Sequence, residues 1–360
     1  MKLTLKIKLL PTPEQADILL DTIKEANLAC DAISGIAWDN KVFNQFKIHN
    51  LCYHGMKSVF NLSAQMLVRC ISKVADAYKL DRKTKRSFRP LGSIAYDSRI
   101  LSYKDDTASI WCIGGRQRMP FICHNPKYLP YIKGEADLVY RKGKFYLFQT
   151  VDIPDTDVED VEDFIGVDFG ISDIAVTSDG VKHTGQALNE YRKHRQRVRS
   201  SIQPKGTRSS RRLLKRLSGK ERTHATTINH TISKTIVQSA KEQGKGVAIE
   251  DLTGIRFSSK GKGKALRTLI GNWSFYQLRS FIEYKAEMNG VQVVVVNPAF
   301  TSKTCSCCNH IGIRKGKSFK CENCGSDIDA DVNASINIAS LGAAINQPEK
   351  SSVYCSLHTT

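Results

Sequence analysis

Four cysteines constrain this chain more than any other feature. Residues 301–338 read TSKTCSCCNHIGIRKGKSFKCENCGSDIDADVNASINI. Cys305 and Cys308 form one Cys-x-x-Cys pair and Cys321 and Cys324 a second, with 12 residues between the pairs. Four thiolates in paired turns suit a closed tetrahedral Zn²⁺ site, which leaves no position for water and is therefore structural. The run CSCC offers a third sulfur, but the x-x spacing selects Cys305 with Cys308 and leaves Cys307 spare. Asn309 follows the first pair and Gly325 the second, and both tolerate the positive φ that such turns favour. The other cysteines (Cys30, Cys52, Cys70, Cys112, Cys123 and Cys355) lie mostly in apolar segments and read as reduced core thiols.

Charge narrows the partner. The 360 residues carry 54 Lys and Arg against 35 Asp and Glu, a formal net charge of +19, which points to a polyanion. Thirteen of those cations fall in Tyr191–Arg222, YRKHRQRVRSSIQPKGTRSSRRLLKRLSGKER. On helices they would cover nearly every face, as rods lying along a phosphate backbone do, with affinity but no sequence choice. Arg192, Arg195, Arg199, Arg211, Arg212 and Arg216 are the candidate contacts. His194, His224 and His230 read as phosphate-contact or surface residues rather than metal ligands. No apolar run approaches the roughly 20 residues of a membrane span. The opening MKLTLKIKLLPTPEQ alternates, unlike the unbroken apolar core of a signal peptide, so a cytoplasmic protein is expected.

Patterning along the chain suggests two halves. Lys2–Leu9 alternates with period two and reads as a strand; Thr12-Pro13-Glu14-Gln15 then supplies an N-cap, a first-turn proline and a capping-box glutamine. Helical patterning recurs over Met56–Tyr78, with Val59, Leu62, Met66, Val68 and Ile71 among its apolar positions. From about Ser93 to Val151 short alternating runs replace it, with a hairpin turn at Arg141-Lys142-Gly143-Lys144. The acidic stretch Asp152–Asp163 reads as a solvated linker and the boundary between halves. Beyond it strands are expected at Phe164–Val167, Asp173–Thr177, Gly246–Asp251 and Val291–Val296. Helices are expected over Asn189–Ala240 (broken near Pro204), over Ser274–Met288 and from about Asp331.

Three acids stand where chemistry would need them. Asp168 ends the apolar run of FIGVDFG, Glu250 ends that of GVAIEDL, and Asp331 opens the last helix. Phosphodiester cleavage by two metals uses carboxylates that hold Mg²⁺ ions about 4 Å apart around the scissile phosphate. A carboxylate ending a buried strand is held rigidly at a sheet edge, so the three together point to a metal-dependent nuclease acting on nucleic acid. Asp331 could equally be the N-cap of its helix, and the two roles need not exclude each other. Asp329 competes with Asp331, as a supporting ligand or as a solvated acid.

Taken together, these motifs resemble the TnpB (OrfB-type) proteins of insertion sequences, relatives of the type V CRISPR effectors. MKLTLKIKLLPTPEQ is similar to that family's N-terminal strand and helix, and GVDFG, AIEDLTGIR and DADVNASINI to its three RuvC motifs. TSKTCSCC and CENCG are similar to its zinc ribbon, and GNWSFYQLRSFIEYKAEMNGVQVVVVNPAFTSKTC to the segment before it. The resemblance implies an α/β RNase H-like (RuvC) nuclease domain with an inserted zinc ribbon, behind a wedge-like β-barrel carrying a helical recognition insertion. Carried onto this chain, the wedge spans 1–151 with its insertion at about 12–90, a linker follows at 152–163, and the nuclease domain runs over 164–300 with basic helices at 189–240. The ribbon is then 301–326, the third motif and last helix 327–341, and 342–360 a flexible tail.

It further implies an RNA-guided DNA endonuclease linked to transposition, with a guide RNA from the transposon end and target DNA as partners, nucleoid-associated when bound. Asp168, Glu250 and Asp331 would be catalytic and hold Mg²⁺; Cys305, Cys308, Cys321 and Cys324 would hold Zn²⁺. A guide-dependent repressor without cleavage, or a strand-transfer transposase using the same triad, are the alternatives.

Overall fold

A computed structural model describes residues 1–158, 160–252 and 275–346. The chain divides into two compact units, Met1–Pro154 and Asp155–Thr360.

The first unit is a curled antiparallel sheet with helices inserted after its first strand. Its strands are β1 (Lys2–Leu9), β2 (Ile94–Tyr96), β3 (Leu101–Lys104), β4 (Thr107–Cys112), β5 (Gly115–Cys123), β6 (Ile132–Arg141) and β7 (Lys144–Asp152), in the order β2-β6-β7-β1-β5-β4-β3. The first strand lies in the middle, antiparallel to both β7 and β5. The sheet nearly closes on itself: Tyr96 on edge strand β2 donates its hydroxyl to the Trp111 carbonyl of β4 at 3.0 Å. At the β6–β7 hairpin Arg141 pairs with Lys144, and both turn residues, Lys142 and Gly143, take positive φ, as the right-handed twist of the strands requires.

Helix α1 (Pro13–Asp39) starts at the expected capping box: Thr12 accepts from the Gln15 amide and Gln15 accepts from the Thr12 amide. The helical run expected over Met56–Tyr78 is interrupted. Helix α2 (Gln45–Val59) ends soon after that run begins, Phe60 is extended, and Ser63 caps a new helix, α3 (Ala64–Leu80). Val59, one of the apolar positions of that pattern, is 70% exposed. Its position at the end of α2 turns it away from the face that α3 buries. Cys30, Cys52, Cys70 and Cys112 are buried as expected; Cys123 is partly exposed, and Cys355 lies outside the described residues.

The second unit is a three-layer α/β fold. Strands β8 (Phe164–Asp168), β9 (Asp173–Thr177), β10 (Lys182–Thr184), β11 (Gly246–Glu250) and β12 (Val293–Val296) form a sheet in the order β10-β9-β8-β11-β12. β8, β11 and β12 run parallel, whereas β9 is antiparallel to both of its neighbours, β8 and β10. Alternation sorts the side chains of the central strands between two faces. Ile165, Val167, Val247 and Ile249 join the larger core beneath the basic helices α4 (Gln186–Ile202) and α5 (Arg208–Glu242) and helix α6 (Phe275–Asn289). Phe164 and Ala248 face the other way, toward Ile338 on α7 (Ala330–Asn346). The break between α4 and α5 falls at Gln203–Lys205, around Pro204. The last helix continues to Asn346, beyond the expected 341.

Between β12 and α7 stands a small three-stranded sheet of β13 (Ile313–Lys315), β14 (Ser318–Lys320) and β15 (Asp327–Asp329), with Phe319, Cys305, Cys321 and Ala330 in its core. Residues 253–256 of AIEDLTGIR, 271–274 of the segment before the ribbon, and the tail beyond Asn346 lie outside the described residues.

Candidate active site and metal-binding cysteines

Register and alternation bring the three acids together. Ile249 pairs with Val167 across parallel strands, so Glu250 and Asp168 follow side by side at the C-terminal ends of β11 and β8. Both lie in phase with Phe164 and Ala248, on the face that α7 covers. That helix descends closely onto β8. A Cβ at Gly166 would fall on the Ser335 carbonyl and the Ala339 amide, and one at Gly342 on the side chain of Ala248. Gly342 thus lies near Phe164 and Ser335 near Gly166, so α7 runs antiparallel to β8 and its first turn, with Asp331, reaches the Asp168 end.

Electrostatics couple Asp168 to the other two acids. Burial, then the neighbouring charges of Glu250 and Asp331, push the Asp168 carboxyl up to about 7. Burial also raises Glu250, which is 7% exposed, against the opposing pull of a hydrogen bond from Thr301 and of Arg314. Thr301 Oγ1 donates to Glu250 Oε1 at 2.5 Å. Partly buried carboxylates that resist ionising are oxygen donors of the kind a hard divalent cation neutralises, while among the described residues only the four paired cysteines bring their ligand atoms close enough together to form a metal cluster.

Two cations that sequence reasoning missed come from the β13–β14 hairpin. Arg314 Nη2 lies 2.7 Å from Asp331 Oδ1, while Lys317 pairs with Asp173 at the start of β9 and stands 3.9 Å from Asp331 Oδ2. In the run IRKGKSFK these look like solvated hairpin charges; only the acids' need for counter-charge hints otherwise.

Asp329 caps the last helix and pairs with a lysine. Its Oδ1 accepts from the amides of Asp331 (3.0 Å) and Val332 (3.2 Å), and its Oδ2 pairs with Lys182 Nζ at 2.5 Å. Partial burial opposes ionisation, but Lys182 and those amides hold its carboxyl below the usual range. The capping role considered for Asp331 therefore belongs to Asp329.

The four paired cysteines form a cluster whose sulfurs all lie within 4.8 Å of one another. Cys305 Sγ is 3.6 Å from Cys324 Sγ, and Cys308 Sγ is 3.5 Å from Cys321 Sγ. Four sulfurs about 2.3 Å from one zinc would stand about 3.8 Å apart, so the cage fits that ion. The His310 amide, then the Asn323 side chain, hold the Cys308 thiol down to about 6, toward the thiolate that binds metal. Asn309 and Gly325 take the expected positive φ, and Cys307 is exposed and outside the cluster.

The basic helices split the candidate arginines. Arg211, Arg212 and Arg216 on α5 are exposed. Arg195 stacks its guanidinium 4.8 Å over Tyr191, and Arg199 pairs with Glu221 at 3.3 Å. Arg192 is partly buried, and burial lowers its pKa. His230 stacks on Phe281 at 3.9 Å, and Tyr191 packs against His224 at 4.6 Å.

Comparison with known proteins bears on this arrangement. Residues 275–338 match the family described as Cas12f1-like, TNB domain. A CRISPR-associated endodeoxyribonuclease Cas12f1 of Sulfoacidibacillus thermotolerans is 34% identical over 221 residues, covering 55% of this chain and 50% of that protein. A TnpB-like protein of Methanocaldococcus jannaschii is 33% identical over 149 residues, 41% of this chain and 53% of its own. The chain thus spans about half the length of these curated relatives. In fold it resembles the protein of a Cas12f1–sgRNA–target DNA complex, with a TM-score of 0.60 at 15% identity over 91% of this chain and 83% of that one. In sequence and in fold, the chain is similar to TnpB-like and Cas12f1 proteins.

Proposed function

We propose that this protein is an RNA-guided, metal-dependent DNA endonuclease associated with an insertion sequence. The observation that carries the reading is the convergence of Asp168, Glu250 and Asp331 from two parallel strand ends and a helix start, with Arg314 held against them. A sheet ordered β10-β9-β8-β11-β12 with β9 reversed supports an RNase H-like domain beneath that site, and the curled sheet of the first unit supports a wedge. The retention of all three acids favours cleavage over guide-dependent binding alone.

In this reading Asp168, Glu250 and Asp331 would hold Mg²⁺, which would supply positive charge and an activated water to an in-line attack on the scissile phosphate. The chain's own residues do the rest. Asp168 and Glu250, fixed by their strands, set the floor of the site. Arg314 reaches its rim and can move from Asp331 to a phosphate oxygen, offering a planar fork that suits phosphate. Cys305, Cys308, Cys321 and Cys324 would hold Zn²⁺, which would keep the β13–β14 hairpin folded so that Arg314 and the start of α7 arrive together. Arg211, Arg212 and Arg216 give backbone affinity for a guide–target duplex, while pairing supplies sequence choice. The guide RNA comes from the transposon end.

The test is to purify the protein with its co-expressed transposon-end RNA, sequence that RNA, and offer matched and mismatched DNA with Mg²⁺. Cleavage of the matched DNA alone supports the reading. Guide-dependent binding without cleavage would favour a repressor.

A further inference from the structure

Glu250 and the cysteine cluster lie on separate elements, yet a continuous set of hydrogen bonds joins them. Thr301, in the segment between β12 and the first cysteine pair, is 4% exposed and donates to Glu250 at 2.5 Å. The Pro298 carbonyl is a second acceptor in reach, at 3.2 Å, but the carboxylate is nearer and charged, so it takes the single hydroxyl proton. Thr301 is itself held. Asn337 of α7, 8% exposed, directs both amide protons to the Thr301 carbonyl (2.8 Å) and the Thr304 carbonyl (2.7 Å). One turn earlier the fully buried Asn333 donates to the Thr304 carbonyl at 2.7 Å and accepts from the amide of Ser306, inside the first Cys-x-x-Cys pair, at 2.9 Å. The helix that brings Asp331 to the site therefore also grips the segment that reaches Glu250.

We propose that Thr301 is a positioning residue: its hydroxyl orients the Glu250 carboxylate for the divalent cation, and α7 sets that hydroxyl through Asn337 and Asn333. The inference rests on the nuclease reading of the acid cluster. A buried glutamate at a strand end retains rotamer freedom about its side chain, and a directed donor on one oxygen removes it. The other oxygen is then presented to the ion. Partners of this kind around a metal ligand typically change affinity by about 10–100-fold when removed.

The experiment uses the full-length, zinc-loaded protein and Mn²⁺ as a spectroscopic probe, with free Mn²⁺ followed by electron paramagnetic resonance. Wild type, Thr301→Val, Thr301→Ser and Asp168→Ala are titrated side by side, with zinc content and melting temperature measured on each. The expected result is that Thr301→Val keeps its zinc and its melting temperature but binds Mn²⁺ about tenfold more weakly or worse. Thr301→Ser, which keeps the hydroxyl, should bind nearly as wild type does. Valine binding Mn²⁺ like wild type, or serine as weak as valine, would overturn the proposal, since the hydroxyl would then not matter. If valine cannot be folded with its zinc, Thr301→Ala removes the same hydroxyl and is read by the same criteria. Should Asp168→Ala bind Mn²⁺ as wild type does, the acid cluster is not the cation site, and the nuclease reading falls together with this inference.

Discussion

Arg314 Nη2 sits 2.7 Å from Asp331 Oδ1, a guanidinium from the ribbon hairpin against the acid that opens the final helix. Neither group is fully exposed, and Arg314 also lowers the proton affinity of Asp168 and Glu250. One cation thus serves three carboxylates, and it is carried by the β13–β14 hairpin between the two cysteine pairs. Arg314→Ala should cut the rate of DNA cleavage by about 100-fold or more while guide and target binding persist, as loss of a charge-stabilising group does. Arg314→Lys should recover only part of the rate, because an ammonium lacks the fork. Single-turnover cleavage beside a binding assay makes the comparison.

The raised Asp168 predicts how stability varies with pH. Its carboxyl titrates near 7 in the folded protein and near 3.8, the ordinary value, when unfolded. Between these values the folded state holds a proton that the unfolded state has lost, so this group's contribution to stability falls as pH rises from about 4 to 7. Above 7 the full penalty is present. Without added Mg²⁺, Asp168→Asn should therefore melt higher than wild type at pH 8, with the gap closing toward pH 4. At about 2–4 °C per kcal/mol for a unit of this size, the difference should be several degrees. A thermal melt series across pH reads it directly, and Mg²⁺ should raise the wild-type melting point but not that of the variant.

Zinc analysis separates the cysteines. Wild type and Cys307→Ser should each contain about one equivalent, since Cys307 is exposed and outside the cluster. Cys321→Ser should lose the metal and loosen the ribbon core around Phe319 and Ala330, which should register as faster proteolysis near Asp331. Full zinc retention in Cys321→Ser would remove the cage.

Much of this was legible in the residues. The capping box at Thr12, the positive-φ turn at Lys142–Gly143, the strands ending in Asp168 and Glu250, and the Cys-x-x-Cys spacing are all local signals. Local chemistry decided each of them. The break at Phe60 was not legible, because the apolar periodicity of Met56–Tyr78 continues across it and only the Ser63 cap marks the restart. Arg314, Lys317 and Thr301 were hidden for a different reason. Their roles exist only once the ribbon folds back over the strand ends, and a charged hairpin or a loop threonine looks the same in sequence whether or not an acid cluster lies beneath it. The basic stretch was half readable: its charge was plain, but not that Arg195 and Arg199 would be engaged by Tyr191 and Glu221.

That division guides the electrostatic test. Changing Arg211, Arg212 and Arg216 to Gln should weaken binding to matched and mismatched targets alike. The slope of log affinity against log salt should flatten by roughly 0.7–0.9 for each phosphate that is no longer neutralised. Changing Arg195 and Arg199 should lower the melting temperature slightly instead, because Arg199 ties α4 to Glu221 of α5 and Arg195 packs on Tyr191 within α4. A salt titration of both variants distinguishes the roles; an unchanged slope in the first would make α5 a solvated surface.

The most direct measurement is Mg²⁺-dependent cleavage of guide-matched DNA by wild type, Asp168→Ala, Glu250→Ala, Asp331→Ala and Asp329→Ala, with target binding measured on each. Asp168→Ala, Glu250→Ala and Asp331→Ala should bind the target but not cut it. Asp329→Ala should still cut, with about 1 kcal/mol less stability from the lost helix cap. Normal cleavage by Asp331→Ala with loss in Asp329→Ala would contradict the assignment of the third acid, and cleavage by all three variants would contradict the nuclease site itself.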